Sequence, residues 1–209
     1  MSAGGLPAAV VVAHPDDETL WAGGEILTRP QLQWVVVSVC RASDTDRASR
    51  FARALEALGA TGAMADLDDG PAQRPLPQSL VEEAILGLLP PRLYALILTH
   101  GPRGEYTRHR RHEETCRALL ALWARGAVSA QNVWLFAYHD EGGRSLPIPA
   151  PWATVRRPLT PHVWQRKYDI ITGVYGFRPD SWEARSVPRE EAFETLQDPA
   201  EAASALARE

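Results

Sequence analysis

Short apolar runs alternate along this chain with stretches patterned for helices. Residues 8–13 are continuously apolar and read as a first strand. Residues 18–27 read as a helix closed by Pro30, and the valine-rich run 34–40 as a second strand. Over 46–58 the apolar positions Phe51, Ala54, Leu55 and Leu58 fall on one helical face, and Gly59 stops it. Residues 61–66 form a weaker third strand. Residues 80–89 are a helix ended by Pro90-Pro91, and 93–99 a strong strand. Residues 112–125 are a helix carrying Leu119, Leu120, Leu122 and Trp123, residues 132–138 a further strand, and 163–174 a late helix. The proline-rich stretch 142–161 reads as a long loop, a type often functional in compact domains. The charged, alanine-rich stretch 190–209 reads as a solvated tail helix.

Strand-then-helix order with near-continuous apolar strands predicts an α/β fold, a Rossmann-like, mostly parallel sheet with helices on both faces. Residues 1–209 read as one domain, with its core over about 6–140 and a loop and helices over 141–209. Ligands of such sheets sit beyond the carboxyl ends of the strands, and both histidine-rich segments fall there. His14 follows the first strand, and the segment 100–112 follows the strand ending at Thr99. His139-Asp140-Glu141 follows a later strand end and reads equally as a rim contact or a solvated turn.

The first of these segments is Ala13-His14-Pro15-Asp16-Asp17-Glu18. One imidazole and three carboxylates packed together repel unless a positive partner is present. A divalent cation is such a partner, since His and Asp both ligate zinc-like ions. The plain alternative is a solvated turn capping the next helix, but a cap needs one carboxylate and no histidine. The second segment carries Gly104-Glu105-Tyr106 and then His109-x-x-His112, whose spacing sets two imidazoles on one face of a helical turn. His100, at a strand end, reads equally as a structural or a functional residue, and His162, at a helix start, reads as structural.

Net charge is −4, so there is no basic footprint for nucleic acid. No stretch approaches the roughly 20 apolar residues of a membrane span. Cys40 and Cys116 fit free buried thiols in a reducing cytoplasm. No G-x-G-x-x-G follows the first strand, which argues against a dinucleotide. Gly23-Gly24 lies inside a helix and is no phosphate loop.

Taken together, Ala-His-Pro-Asp-Asp-Glu, Gly-Glu-Tyr and the later H-x-x-H resemble the PIG-L/LmbE-like deacetylases. These are zinc-dependent enzymes that remove the acetyl group from N-acetylglucosamine conjugates. The resemblance covers roughly the first 120 residues, with weaker echoes at Arg47, Leu58-Gly59 and 66–70. It implies a Rossmann-like fold and a Zn2+ cofactor, another divalent metal being an alternative. It implies that His14, Asp17 and His112 bind the metal, that Asp16 is the general base, and that His109 assists the oxyanion or leaving group. Arg47 and Asp69 match substrate-contacting positions, and Tyr106 a tyrosine near the substrate carbonyl. The family has one residue between that tyrosine and the first His of H-x-x-H, whereas Thr107 and Arg108 both intervene here.

Three protein ligands leave a position open for water, the arrangement of catalytic rather than structural zinc. Asp16 and Asp17 are adjacent and cannot easily share one role, so one ligates and the other accepts a proton. A proton-donating His109 has to be protonated while Asp16 is ionised, which gives a bell-shaped pH profile. The expected activity is de-N-acetylation of a small amino-sugar conjugate in the cytoplasm; a homo-oligomer is compatible with the sequence. The alternatives are a metal-dependent hydrolase of another amide or ester, and a metal-binding domain without turnover. The spare Asp16 and His109 argue against the last.

Overall fold

The computed structural model describes residues 5–106 and 108–207. The first half runs β1 (Pro7–Val12), α1 (Asp17–Thr28), β2 (Gln33–Cys40), α2 (Thr45–Leu58), β3 (Thr61–Leu67) and α3 (Gln78–Leu88). Then come β4 (Leu93–Tyr94), β5 (Leu96–Thr99), α4 (Arg110–Ala124), β6 (Ser129–Ala130) and β7 (Val133–Phe136). The last part holds β8 (Tyr138–His139), β9 (Ile148–Pro149), β10 (Val155–Pro158), α5 (Pro161–Asp169), α6 (Trp182–Ser186), β11 (Glu190–Leu196) and α7 (Glu201–Leu206). A π-helical turn, Ile170–Val174, continues α5.

The main sheet has the order β10-β11-β7-β5-β1-β2-β3. Its five strands from β7 to β3 are parallel, while β11 runs antiparallel to both neighbours. Successive residues of β1 face opposite sides. Ala8, Val10 and Val12 pack into one core with Trp21 of α1, Phe51 and Leu55 of α2, and Ile171. Ala9 and Val11 pack into the other with Ile85 of α3 and Leu119 and Trp123 of α4. Both faces are therefore covered, and the α/β reading holds.

The chain builds from β1 outward through β2 and β3, then crosses to the other side of β1 with β5 and β7. The carboxyl ends of β1 and β5 are thus neighbours at the reversal point, where a crevice opens in sheets of this kind. Val11 pairs with Thr99, so His14 and His100 emerge side by side from distant parts of the sequence.

Three expectations need correction. Residues 93–99 are two strands: β4 pairs with β6 in a separate ribbon, and only β5 joins the main sheet. The stretch 142–161 is not wholly a loop, since it contains β9 and β10. Residues 190–209 are not a solvated tail helix: β11 lies inside the sheet, and only α7 is helical. The core therefore extends well beyond residue 140.

The reason for the last correction is Glu191, which is fully buried. Its carboxylate accepts the Gly24 and Glu25 amides at 2.7 and 2.8 Å and pairs with the buried Lys167 Nζ at 2.5 Å. Satisfied on three sides, a charge that sequence patterning assigns to solvent sits in the interior. This contact also accounts for Gly24 of α1. A Cβ at Gly24 would lie 2.5 Å from Leu159 Cδ2 and 2.8 Å from Glu191 Cδ. We expect Gly24→Ala to destabilise the fold by about 1–3 kcal/mol through overpacking, despite alanine's better helix propensity. Urea denaturation checks this; a midpoint at or above that of the parent refutes the close approach.

Candidate metal centre and active site

Asp16 sits just before α1 with φ 121° and ψ −31°, a backbone region costly for a residue with a Cβ. Its side chain makes no cap bond to α1, so the plain capping reading fails. The Asp16 amide instead donates to Glu18 Oε2 at 2.9 Å, and Glu18 is pinned by the hydroxyls of Thr19 and Tyr175. This local anchoring turns consecutive carboxylates apart. Asp17 points to the histidines, and Asp16 lines the pocket with its Oδ2 3.1 Å from Arg47 Nη1.

His14 Nδ1 lies 3.2 Å from Asp17 Oδ2 and 3.2 Å from His112 Nε2, and His112 Nε2 lies 3.4 Å from Asp17 Oδ2. The centre of that triangle is about 1.9 Å from each atom, just inside the ~2.0–2.2 Å of zinc–nitrogen and zinc–oxygen bonds. An ion slightly off the plane meets all three donors. Two imidazoles and a carboxylate are a donor set suited to zinc. Burial opposes ionisation of Asp17, but His112 and His100 outweigh it and hold the carboxyl well below its ordinary range.

Carboxylates hold the two imidazoles from behind. His112 Nδ1 faces Glu105 Oε2 at 2.6 Å, and His14 Nε2 faces Asp69 Oδ1 at 3.2 Å. Such partners set the tautomer and ring orientation of metal-binding histidines. Glu105 also receives the Gly101 amide at 2.9 Å. Burial opposes its charge, yet His100 and His112 bring its pKa down to about 2. Glu105→Gln is expected to weaken zinc affinity about 10–100-fold, read by competition with a chelator. Undiminished affinity would leave Glu105 a packing role only.

Other overlapping donor groups are His14–His109–His112 and Asp17–His100–His112 within the two segments, and His14–Cys40–Asp69, which draws on the ends of β2 and β3. His100 is committed elsewhere: Ala13 N–H donates to its Nε2 at 2.9 Å, and its Nδ1 faces Glu105 at 3.1 Å. Both ring nitrogens are thus engaged, which decides for the structural one of the two roles that the sequence left open. Burial pushes the Cys40 thiol up to about 12, so it offers no ready thiolate. His109 caps α4 with its ring stacked 4.3 Å from His112. Burial and the neighbouring His112 and His14 push its pKa down to about 4. It therefore rests neutral, which differs from the protonated form an acid role calls for in the free enzyme.

His14, Asp16, Asp17 and His109 line a pocket of about 230 Å³ together with Arg47, Asp69 and Tyr106, while His112 lies behind that lining. Asp69 is held by His14 and by Gln73 Nε2 at 2.9 Å, which marks it as a support for His14 as much as a substrate contact. Tyr106 packs on Trp182 with ring centroids 4.4 Å apart; Thr107 of the lengthened spacing lies outside the described residues. Arg41, Trp182 and Glu183 also line the pocket and were not foreseen. They come from segments with no motif. Glu105 did carry a signal, as the acid of the Gly-Glu-Tyr triplet. His139 stays outside the pocket, its ring 6.0 Å from Trp152. A larger groove of about 540 Å³ around Leu93 and Tyr94 has no imidazole or carboxylate in its lining.

The α/β fold of this chain is shared by several solved structures. The chain is similar in fold to GalB, the 4-carboxy-2-hydroxymuconate hydratase of Pseudomonas putida, at 17% identity and a TM-score of 0.63, covering 91% of this chain and 96% of that one. It is similar to the N,N'-diacetylchitobiose deacetylase of Pyrococcus horikoshii at 13% identity and TM-score 0.62, covering 91% and 84%. It is also similar to the zinc-inhibited form of teicoplanin deacetylase at 15% identity and TM-score 0.60, covering 90% and 96%. No protein-family model and no curated protein sequence matches the chain. Among the described residues no helix is long and apolar enough to cross a membrane.

Proposed function

We propose that this chain is a zinc-dependent N-deacetylase that hydrolyses the acetyl amide of an N-acetylglucosamine-type conjugate, releasing acetate and a free amine. The observation that carries the reading is the His14–Asp17–His112 triangle with a second carboxylate, Asp16, beside it and not coordinated into it. A storage site has no use for a spare base. The fold likeness to deacetylases of chitobiose and teicoplanin supports the same chemistry.

A divalent ion bound there supplies Lewis acidity to the amide carbonyl and lowers the pKa of water. Asp16 takes the proton of the attacking water and passes it to the departing nitrogen. Neutral His109 donates its ring N–H toward the developing oxyanion. Arg47 holds Asp16 in place through the 3.1 Å contact, and Tyr106 and Trp182 supply aromatic surface to the pocket wall. Two buried, unpaired thiols fit a cytoplasmic setting.

The likeness to a hydratase keeps one rival open, metal-assisted water addition on a carboxylated substrate. Acetate release from a panel of N-acetylglucosaminides, with and without added zinc, decides. Zinc-dependent acetate release supports the deacetylase; no release from any member, with turnover of a hydroxymuconate, assigns hydration.

A further inference from the structure

The turn that carries Asp16 is held by a late part of the chain that has no motif. The π-helical turn Ile170–Val174 leads into Tyr175, whose amide donates to Ile170 O at 2.9 Å, the five-residue step of a π-helix. Gly176 follows with φ 78°, where a Cβ would run into the Arg50 guanidinium. This left-handed residue doubles the chain back, and the Phe177 amide closes onto Ile171 O at 3.2 Å. Tyr175 and Phe177 therefore flank one tight turn, and neither lines the catalytic pocket.

We propose that Tyr175 and Phe177 are positioning residues for Asp16: Tyr175 fixes its backbone through Glu18, and Phe177 fixes its carboxylate through Arg47. The inference rests on the deacetylase reading, in which Asp16 is the general base. Asp16 at φ 121° holds a conformation that persists only where its surroundings impose it. Glu18 imposes it by accepting the Asp16 amide at 2.9 Å. Glu18 is itself fully buried, and its hydroxyl donors are Thr19, next in the chain, and Tyr175 at 2.7 Å. Thr19 moves with α1, so Tyr175 is the contact that ties the turn to a separate element. Burial first, then the Glu18 charge, hold the Tyr175 pKa well above the ordinary phenol value, so the hydroxyl stays a donor.

On the carboxylate side, Arg47 Nη1 donates to Asp16 Oδ2 at 3.1 Å and to Pro15 O at 3.4 Å. The guanidinium carbon of Arg47 lies over the Phe177 ring, 5.2 Å from its centroid and within the range of a cation–π contact. Stacking takes the flat face of the guanidinium and leaves its N–H edge to the carboxylate. Arg50, three residues on and on the same side of α2, donates to Tyr175 O. Helix α2 thus carries both arginines that meet the 175–177 turn. A catalytic group displaced by about 1 Å can lose on the order of 10²-fold in rate, so two anchors on one base have a kinetic consequence.

Tyr175→Phe removes one hydroxyl and keeps the ring, whereas Phe177→Leu removes the ring and keeps an apolar side chain. On an N-acetylglucosaminide that the parent hydrolyses, kcat is expected to fall about tenfold in Tyr175→Phe and about threefold in Phe177→Leu, with KM within about twofold of the parent's and zinc content unchanged. Phe177→Tyr, which restores a ring, should recover most of the kcat lost in Phe177→Leu. Parent-like kcat in Tyr175→Phe, a loss carried by KM alone, or loss of zinc overturns the Tyr175 role. Equal kcat in Phe177→Leu and Phe177→Tyr overturns the Phe177 role. Hydrogen exchange followed by NMR gives a readout that needs no substrate. The Asp16 amide should exchange about tenfold faster in Tyr175→Phe, and the Arg47 guanidinium faster in Phe177→Leu, while the β1 amides keep their protection. If the parent hydrolyses no glycoside, the deacetylase reading fails and exchange judges the anchoring separately. Faster exchange confined to those groups sustains it; unchanged exchange, or a rise spread across β1, overturns it.

Discussion

Asp16→Asn is expected to keep the metal and lose about 10²–10⁴ of kcat, the usual share of a general base. Asn copies the shape of Asp and cannot accept the proton. The backbone argues for a role worth its strain: a non-glycine residue at φ 121° costs about 1–3 kcal/mol. Burial foremost, then the Asp17 charge, raises the Asp16 pKa to about 8, and Arg47 opposes them. A base acts only when ionised, so kcat/KM should rise with pH through this titration. A cation seated at Asp17 favours the ionised form and moves the rise below pH 8. Arg47→Ala removes the opposing charge and should shift the same limb to higher pH. Parent-like turnover in Asp16→Asn would assign the proton to another group, and an acid limb unmoved in Arg47→Ala would uncouple the pair.

His112→Ala is expected to lose the metal and, with it, all measurable turnover. Its Nε2 is one corner of the triangle, 3.2 Å from His14 Nδ1 and 3.4 Å from Asp17 Oδ2. Only two protein donors remain without it, and a three-ligand site holds catalytic zinc. The variant also strips Glu105 of its shorter contact, at 2.6 Å, leaving His100 at 3.1 Å to face the buried carboxylate. Elemental analysis after gel filtration reads the outcome, with circular dichroism to confirm folding. A full equivalent of zinc in a folded variant would pass the ligand role to His109, whose ring stacks on His112.

What the sequence by itself determined was local. The apolar runs at β1, β2 and β5 and the stops at Gly59 and Pro90-Pro91 follow from periodicity and backbone restriction, which act over a few residues. The His14–Glu18 cluster at the end of an apolar run announced ionisable groups at a sheet edge, because four such groups in five residues need a common partner. The tertiary structure alone decided which atoms meet. Asp16 and Asp17 are neighbours of the same type, and only the strained turn, with Glu18 anchored by Tyr175 from 157 residues away, sends one to the histidines and the other to Arg47. The fate of β11 was equally invisible. Glu190–Leu196 is charged, and its burial depends on Lys167 and two amides of α1 that no local pattern reveals. Charges pattern as surface in a sequence because solvent is their default partner; a fold can supply the partner from anywhere in the chain.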